Sequence, residues 1–204
     1  MSGFAGRCAI VTGAANGIGR AIATSLLERD VRVVAVDRDE DDLASAFDAS
    51  DALRCVVVDV TADEAPTTIV NTAVEAFGGI DFLINNAGIA IAGDFETLTD
   101  EQWDTIMDVN VRSMFRLSRA AVPHLKKSEQ GRVINLGSIM SDLGGPALAI
   151  YGASKHAVAG LSKGMAVDLG KRGIPVNYLP PGAIWTKMSE PFMADPDFLQ
   201  YWET

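Results

Sequence analysis

Cysteine is scarce in this 204-residue chain: Cys8 and Cys55 are the only two, too few for a disulfide-stapled secreted scaffold. Each lies in an apolar, β-branched run and reads as a small buried hydrophobe in its reduced form. Long apolar runs are missing as well. Gly, Asn, Asp or Arg interrupts every one, well short of the roughly 20 residues a membrane-spanning helix requires. Only a few residues precede the first apolar run at 8–11, which leaves no room for a signal peptide, and a cytoplasmic location is expected. Positive charge is in the minority, with 17 Lys and Arg against 27 Asp and Glu and a net charge of −10 with His neutral. Without a basic block, such a chain is repelled by phosphate backbones and anionic surfaces, so no nucleic acid and no membrane is expected as a partner. Repeats, low-complexity tracts and Pro/Ser-rich linkers are also lacking. What is present, 48% hydrophobic and 22% charged residues, suits one globular domain over 1–204.

Six Val/Ile-rich runs, at 8–12, 31–36, 53–58, 80–84, 132–136 and 174–179, alternate with segments of helical period. This pattern predicts βαβ units: an α/β fold with a doubly wound parallel sheet and helices on both faces. Ile18, Ile22 and Leu26 fall at i, i+4 and i+8, and Trp103, Ile106, Met107, Met114 and Leu117 mark one face of a single long helix. Both stripes are expected to be core faces. Pro123 and the turn at 129–131 end the second helix before the fifth strand.

The first predicted strand runs into Thr12-Gly13-Ala14-Ala15-Asn16-Gly17-Ile18-Gly19 and directly on into a helix. In a strand–turn–helix unit, glycines let the backbone approach a pyrophosphate, whose charge meets the N–H groups of the helix N-terminus. Tight βα turns also use glycine for purely steric reasons, and the spacing is G-x-x-x-G-x-G rather than G-x-G-x-x-G. Support comes from Asp37 at the end of the second strand, about 20 residues on, where a ribose-binding acid belongs. A carboxylate there accepts from both ribose hydroxyls and repels a 2′-phosphate, which favours NAD over NADP, although Arg38 next to it can attract one. A solvated helix N-cap is the plainer role for Asp37. Asp59-Val60, after the third strand, is placed to meet the adenine edge.

Further motifs follow in order: Asn85-Asn86-Ala87-Gly88 after the fourth strand, Asn110 in the long helix, Ser138 after the fifth strand, Tyr151-Gly152-Ala153-Ser154-Lys155 opening a helix, and Pro181-Gly182-Ala183-Ile184-Trp185-Thr186 after the sixth strand. With these the chain resembles the short-chain dehydrogenase/reductase family over nearly its whole length. The resemblance implies a Rossmann-like dinucleotide-binding and catalytic domain that oxidises alcohols or reduces carbonyls with a nicotinamide cofactor. Hydride transfer needs a base for the hydroxyl proton. Tyr151 is the candidate. A phenol of pKa about 10 needs positive charge nearby, and Lys155, four residues on along a helix, is expected to supply it. Ser138 sits where doubly wound sheets place ligands and can hold the substrate oxygen. By resemblance Asn110 holds a water that completes a proton relay. Asn86, Ala87 and Gly88 steady the sheet and pass near the adenosine ribose, and Pro181 and Gly182 carry Ile184 and Thr186 to the nicotinamide carboxamide. Taken singly, each has a plainer reading: a surface Tyr–Lys pair, an N-cap Ser, a core Asn, a turn. His124 and His156 are assigned to surface or packing, and no metal is assigned. Gly137 stands where the family has a small polar residue.

Met140, Leu143, Leu148, Trp185, Met188, Phe192 and Met193 are the candidate substrate-pocket residues, largely apolar, and point to an apolar secondary alcohol or ketone. Two other readings stay open: an NADP-dependent carbonyl reductase of the 3-oxoacyl type, and a dinucleotide-binding protein or fragment without catalysis. The resemblance also implies a homo-oligomer, dimer or tetramer, joined through the helices that begin near Thr99 and Tyr151. It further implies a last helix and a seventh strand beyond Thr204, so the sixth strand is expected to form a sheet edge and the chain to derive from a longer polypeptide.

Overall fold

In a computed structural model that describes residues 3–190, the alternating pattern becomes β1 (Cys8–Thr12), α1 (Gly17–Leu27), β2 (Arg32–Asp37), α2 (Glu40–Ala46), β3 (Leu53–Val57), α3 (Ala65–Phe77), β4 (Phe82–Asn85), α4 (Asp100–Met107), α5 (Ser113–Leu125), β5 (Arg132–Leu136), α6 (Ala149–Gly170) and β6 (Val176–Leu179). The sheet order is β3-β2-β1-β4-β5-β6, parallel at every pairing. The chain therefore starts at the centre, winds out to one edge, and returns past β1 to build the other half. Where the direction reverses, between β1 and β4, the loops diverge and leave a crevice at the carboxyl ends of the strands.

Both faces of the central strands are buried, which is why they read as continuous apolar runs. Alternate residues divide between the two faces. Ile10, Val34, Leu83 and Val133 pack with residues of α3, α5 and α6, and Val11, Val33, Ala35 and Ile84 pack on the other face, with Ile18, Ile22 and Leu26 of α1 partly buried against them. Each fully buried Ile or Leu, such as Ile10 and Leu83, contributes about 1.5–3 kcal/mol. Through this apolar face runs a polar ladder. Asn85 Nδ2 donates to Ser118 Oγ at 3.0 Å and to Asn135 Oδ1 at 2.8 Å, and Asn135 Nδ2 donates to Ser162 Oγ at 2.8 Å. A buried network with its partners satisfied has one geometry, so it fixes α5 and α6 against β4 and β5.

The structure corrects three expectations. β3 is an edge strand in which Arg54, Cys55 and Val57 are exposed, so Cys55 is no core hydrophobe. Cys8 is buried, and burial pushes its thiol up to about 12. The long helix is broken: α4 and α5 flank a π-helical turn over Asp108–Arg112. With the register altered, Ile106, Met114 and Leu117 are buried while Trp103 is 45% exposed. At the opposite edge of the sheet, β6 leaves Leu179 exposed. No described helix is long and apolar enough to cross a membrane.

Candidate active site

The cradle is shaped by main chain. Gly13 has φ +63°, Gly17 φ +52°, a left-handed region that disfavours residues with a Cβ. A Cβ on Gly19 would lie 2.1 Å from Gly13 O and 2.4 Å from Asn86 Nδ2, and one on Gly13 would lie 2.9 Å from Asn86 Nδ2. Asn86 is the wedge between them: its Nδ2 donates to Thr12 O at 2.8 Å and to Gly13 O at 3.0 Å. Thr12, which the sequence reading treated as the end of a strand, completes the joint, because its Oγ1 accepts the N–H groups of Asn86 and Ala87, both at 3.0 Å. A hydroxyl at the end of an apolar strand, just before the glycine turn, was the available signal.

The fit to a phosphate is tested at the α1 N-terminus. Asn16 is its N-cap but makes no side-chain cap, and no acid lies in the first turn. α2 and α4, by contrast, are capped by Asp39 and by a Thr99–Gln102 capping box. The first-turn N–H groups at Gly17, Ile18 and Gly19 thus suit an external anion. Asp37 stands beside the cradle at the end of β2, where its Oδ2 accepts from Ala15 N at 3.0 Å and its Oδ1 from Arg38 N at 2.8 Å. It caps no helix; Asp39 does that. Asp59 accepts from both the N–H and the hydroxyl of Thr61, and the hydroxyl foremost holds its carboxyl below the usual range. Val60 and Ala87 line a small internal cavity together with Thr12, Asn85 and Asn110.

Across the crevice the site is made of side chains. The π-helical turn carries Asn110, and such turns often mark functional positions. Its Oδ1 accepts from Ile89 N at 2.8 Å, while Nδ2 donates to Ile89 O and Ser154 Oγ, both at 2.9 Å. Both Nδ2 hydrogens are used and Oδ1 accepts one bond, which makes Ile89 and Ser154 partners that the sequence pattern does not show. Lys155 is buried, and its Nζ donates to Leu136 O at 3.0 Å; a Cβ on Gly88 would lie 3.5 Å from that Nζ and 3.2 Å from Asn110 Oδ1. Tyr151 is one helical turn away, with its ring centroid 5.7 Å from Nζ. Gly88, Asn110, Tyr151 and Lys155 therefore converge on one spot.

Electrostatics differ from the sequence expectation. Burial pushes the Tyr151 phenol up, and the Ser138 hydroxyl is what acts in the opposite direction. Lys155 was expected to do so, but burial brings its own pKa from 10.5 down to about 8, the usual cost to a desolvated ammonium. Ser138 also serves as the N-cap of a short turn, its Oγ accepting from Met140 N at 3.1 Å. Gly137 before it is a close-packed position, since a Cβ would meet Ser141 Oγ at 2.9 Å and Tyr178 at 3.0 Å.

The candidate pocket residues fall into two groups by burial. Met140 and Leu148 are buried under the turn at Gly145, where a Cβ would lie 2.9 Å from Met140 Cε and 3.6 Å from Leu148 Cδ1. They pack the loop. Leu143, Trp185, Met188 and Ile184 are exposed. Pro181 O accepts from Ile139 N at 2.8 Å, Gly182 is exposed, and Thr186 packs its methyl on Gly17, 2.9 Å from where a Cβ would sit. Phe192 and Met193 lie outside the described residues. His156 bonds Gly152 O of its own helix.

A doubly wound parallel sheet with a glycine cradle at its switch point defines a Rossmann-like nucleotide-binding oxidoreductase fold. The chain belongs to the short-chain dehydrogenase family, whose model, described as short chain dehydrogenase, matches residues 7–197. It is 38% identical over 186 residues to a 3-oxoacyl-(acyl-carrier-protein) reductase of Vibrio cholerae, covering 91% of this chain and 76% of that one. It is 40% identical over 192 residues to a 3-alpha-(or 20-beta)-hydroxysteroid dehydrogenase of Mycobacterium tuberculosis, covering 93% and 74%. Among solved structures, the NADH complex of the 3-ketoacyl-(acyl-carrier-protein) reductase from Brucella melitensis superposes with a TM-score of 0.89 at 31% identity, over 94% of this chain and 81% of that one.

Proposed function

We propose that the protein moves a hydride between NAD(H) and a secondary alcohol or ketone, with an apolar substrate, Tyr151 as the proton-transferring group, Ser138 holding the substrate oxygen, and Lys155 and Asn110 supporting them. The observation that carries this reading is the convergence of Tyr151, buried Lys155 and Asn110 across the crevice from an uncapped helix N-terminus. Gly13, Asn16, Gly17, Ile18 and Gly19 would hold the pyrophosphate and Asp37 the adenosine ribose. Asp59, Val60 and the 86–88 turn would flank the adenosine, and Ile184 and Thr186 the nicotinamide. When bound, the oxidised nicotinamide accepts the hydride and brings a positive charge.

To reduce a carbonyl, Tyr151 must carry the proton it gives to the oxygen, and burial favours that neutral phenol; to oxidise an alcohol it must first be the phenolate, so that it can take the hydroxyl proton. The Ser138 hydroxyl, which favours the phenolate, is placed to steer the proton between the phenol and a substrate oxygen. Lys155 titrates near 8, close to working pH, and so suits proton exchange better than an ordinary lysine. NAD is favoured over NADP by Asp37, half-buried and fixed by Ala15 N, because a 2′-phosphate would meet its charge. The similarity to the Vibrio cholerae reductase supports a second reading, an NADP-dependent 3-oxoacyl reductase. Following cofactor absorbance with NAD and NADP in parallel, over a panel of apolar secondary alcohols and 3-oxoacyl thioesters, separates the two. A strong NADP preference would overturn the cofactor assignment, and no hydride transfer with any substrate would overturn the catalytic one. A dimer or tetramer joined through α4, α5 and α6 is supported by the exposed Trp103, Phe115 and Val167, and sedimentation of the purified protein decides it.

A further inference from the structure

We propose that residues 184–190 form a strap latched over the dinucleotide cradle by the Lys187–Asp42 ion pair, and that this latch sets the rate at which the dinucleotide leaves. The inference rests on the reading that the α1 N-terminus holds the pyrophosphate.

The strap is a self-bonded unit. Ser189 Oγ donates to Ile184 O at 2.6 Å, Thr186 N donates to Ser189 Oγ at 2.9 Å, and the N–H groups of Ser189 and Glu190 both reach Thr186 O at 3.0 Å. Such a turn moves as one piece. Its centre lies on the first turn of α1, where the Thr186 methyl meets Gly17, so a pyrophosphate on those N–H groups enters and leaves past it. Its large apolar side chains, Ile184, Trp185 and Met188, are exposed and give it little apolar anchorage.

What ties it down is Lys187. Its Nζ reaches Asp42 Oδ2 at 2.5 Å across 145 positions of sequence, and among the described residues this is the one side-chain hydrogen bond from 184–190 to the rest of the molecule. The same oxygen accepts from Asn16 Nδ2 at 2.8 Å, so strap, α2 and the N-cap of α1 meet at one carboxylate. Asp42 raises the Lys187 pKa foremost, and Asp39 and Asp37 add to it. The ammonium therefore faces an acidic corner beside the proposed ribose site. An ion pair this exposed is a weak tie, one that can hold the strap and still let it open.

The test is stopped-flow release of NADH, with NADPH in parallel, from the full chain carrying Lys187→Met, Asp42→Asn, both together, or the exchanged pair Lys187→Asp with Asp42→Lys, each matched to wild type by its melting curve. Each single variant is expected to release NADH about two- to fivefold faster, and the double variant no faster than either single, because the two changes break one interaction. The exchanged pair should return the rate toward wild type, and added salt should speed release from wild type but not from the single variants. Unchanged rates in both single variants would overturn the latch. So would a loss of affinity with Lys187→Met that Asp42→Asn does not share, which would put the ammonium on the dinucleotide itself. A wild-type chain that binds neither NADH nor NADPH would overturn the dinucleotide reading and the latch with it.

Discussion

The two halves of the sheet's carboxyl edge are built from different parts of the chain. After β1 and β2 the cradle consists of backbone N–H groups and glycines with no room for a Cβ, held by Asn86 and Thr12. After β4 and β5, and at the start of α6, the proposed chemistry rests on side chains, and burial has shifted them: the Tyr151 phenol upward, the Lys155 ammonium down to about 8. The first half is defined by volume that must be absent and the second by atoms that must be present. Substitutions should therefore fail in opposite ways on the two sides.

Removing one atom tests the second half most severely. Tyr151→Phe keeps the ring and its packing, so the fold and NADH binding should match wild type while kcat falls about 10²–10⁴-fold, the range of a lost general acid or base. Equal turnover by the variant would remove Tyr151 from the chemistry. Adding one methyl tests the first half. Gly19→Ala drives a Cβ into the Gly13 carbonyl at 2.1 Å, and because the obstacle is backbone it cannot rotate away. Overpacking typically costs about 1–3 kcal/mol, with the upper end expected against backbone, and NADH affinity should fall with it. Fluorescence titration and a thermal melt read both, and a variant that binds NADH like wild type would break the contrast.

The same division explains what was legible in the sequence. Strands buried on both faces announce themselves, so β1 and β5 begin and end where the apolar runs at 8–12 and 132–136 do. Tyr151 and Lys155 were legible because i and i+4 along a helix is local geometry. Features that depend on distant partners were not. The run at 53–58 resembles the central strands, and only the strand order makes β3 an edge that exposes Cys55. The π-helical turn carries an amide held by Ile89 and Ser154, so the heptad-like stripe from Trp103 to Leu117 gave no warning of it. Met140 and Leu148 are apolar in any setting, and their burial under the Gly145 turn depends on a loop whose course the local sequence does not give. Thr12 looked like a strand terminus because its two acceptor bonds come from residues more than 70 positions away.

Lys155 offers a smaller but sharper test, because in it function and stability point in opposite directions. The folded chain releases this proton near pH 8, whereas the unfolded chain holds it to about 10.5. Between those values the unfolded state binds more protons, so this group's contribution to stability rises with pH; below 8 both states are protonated and the cost of the buried charge is fully present. Lys155→Met removes that charge and forfeits the bond to Leu136 O, itself worth about 1 kcal/mol. At pH 7 the variant should be more stable by on the order of 2 kcal/mol, with the advantage shrinking steadily from pH 8 to 10.5, while hydride transfer is lost. Melting curves over that pH range read the effect. A variant that melts lower than wild type at pH 7 would mean that the bond to Leu136 outweighs the buried charge, and that this half of the site, like the cradle, is held together by its contacts rather than strained by its chemistry.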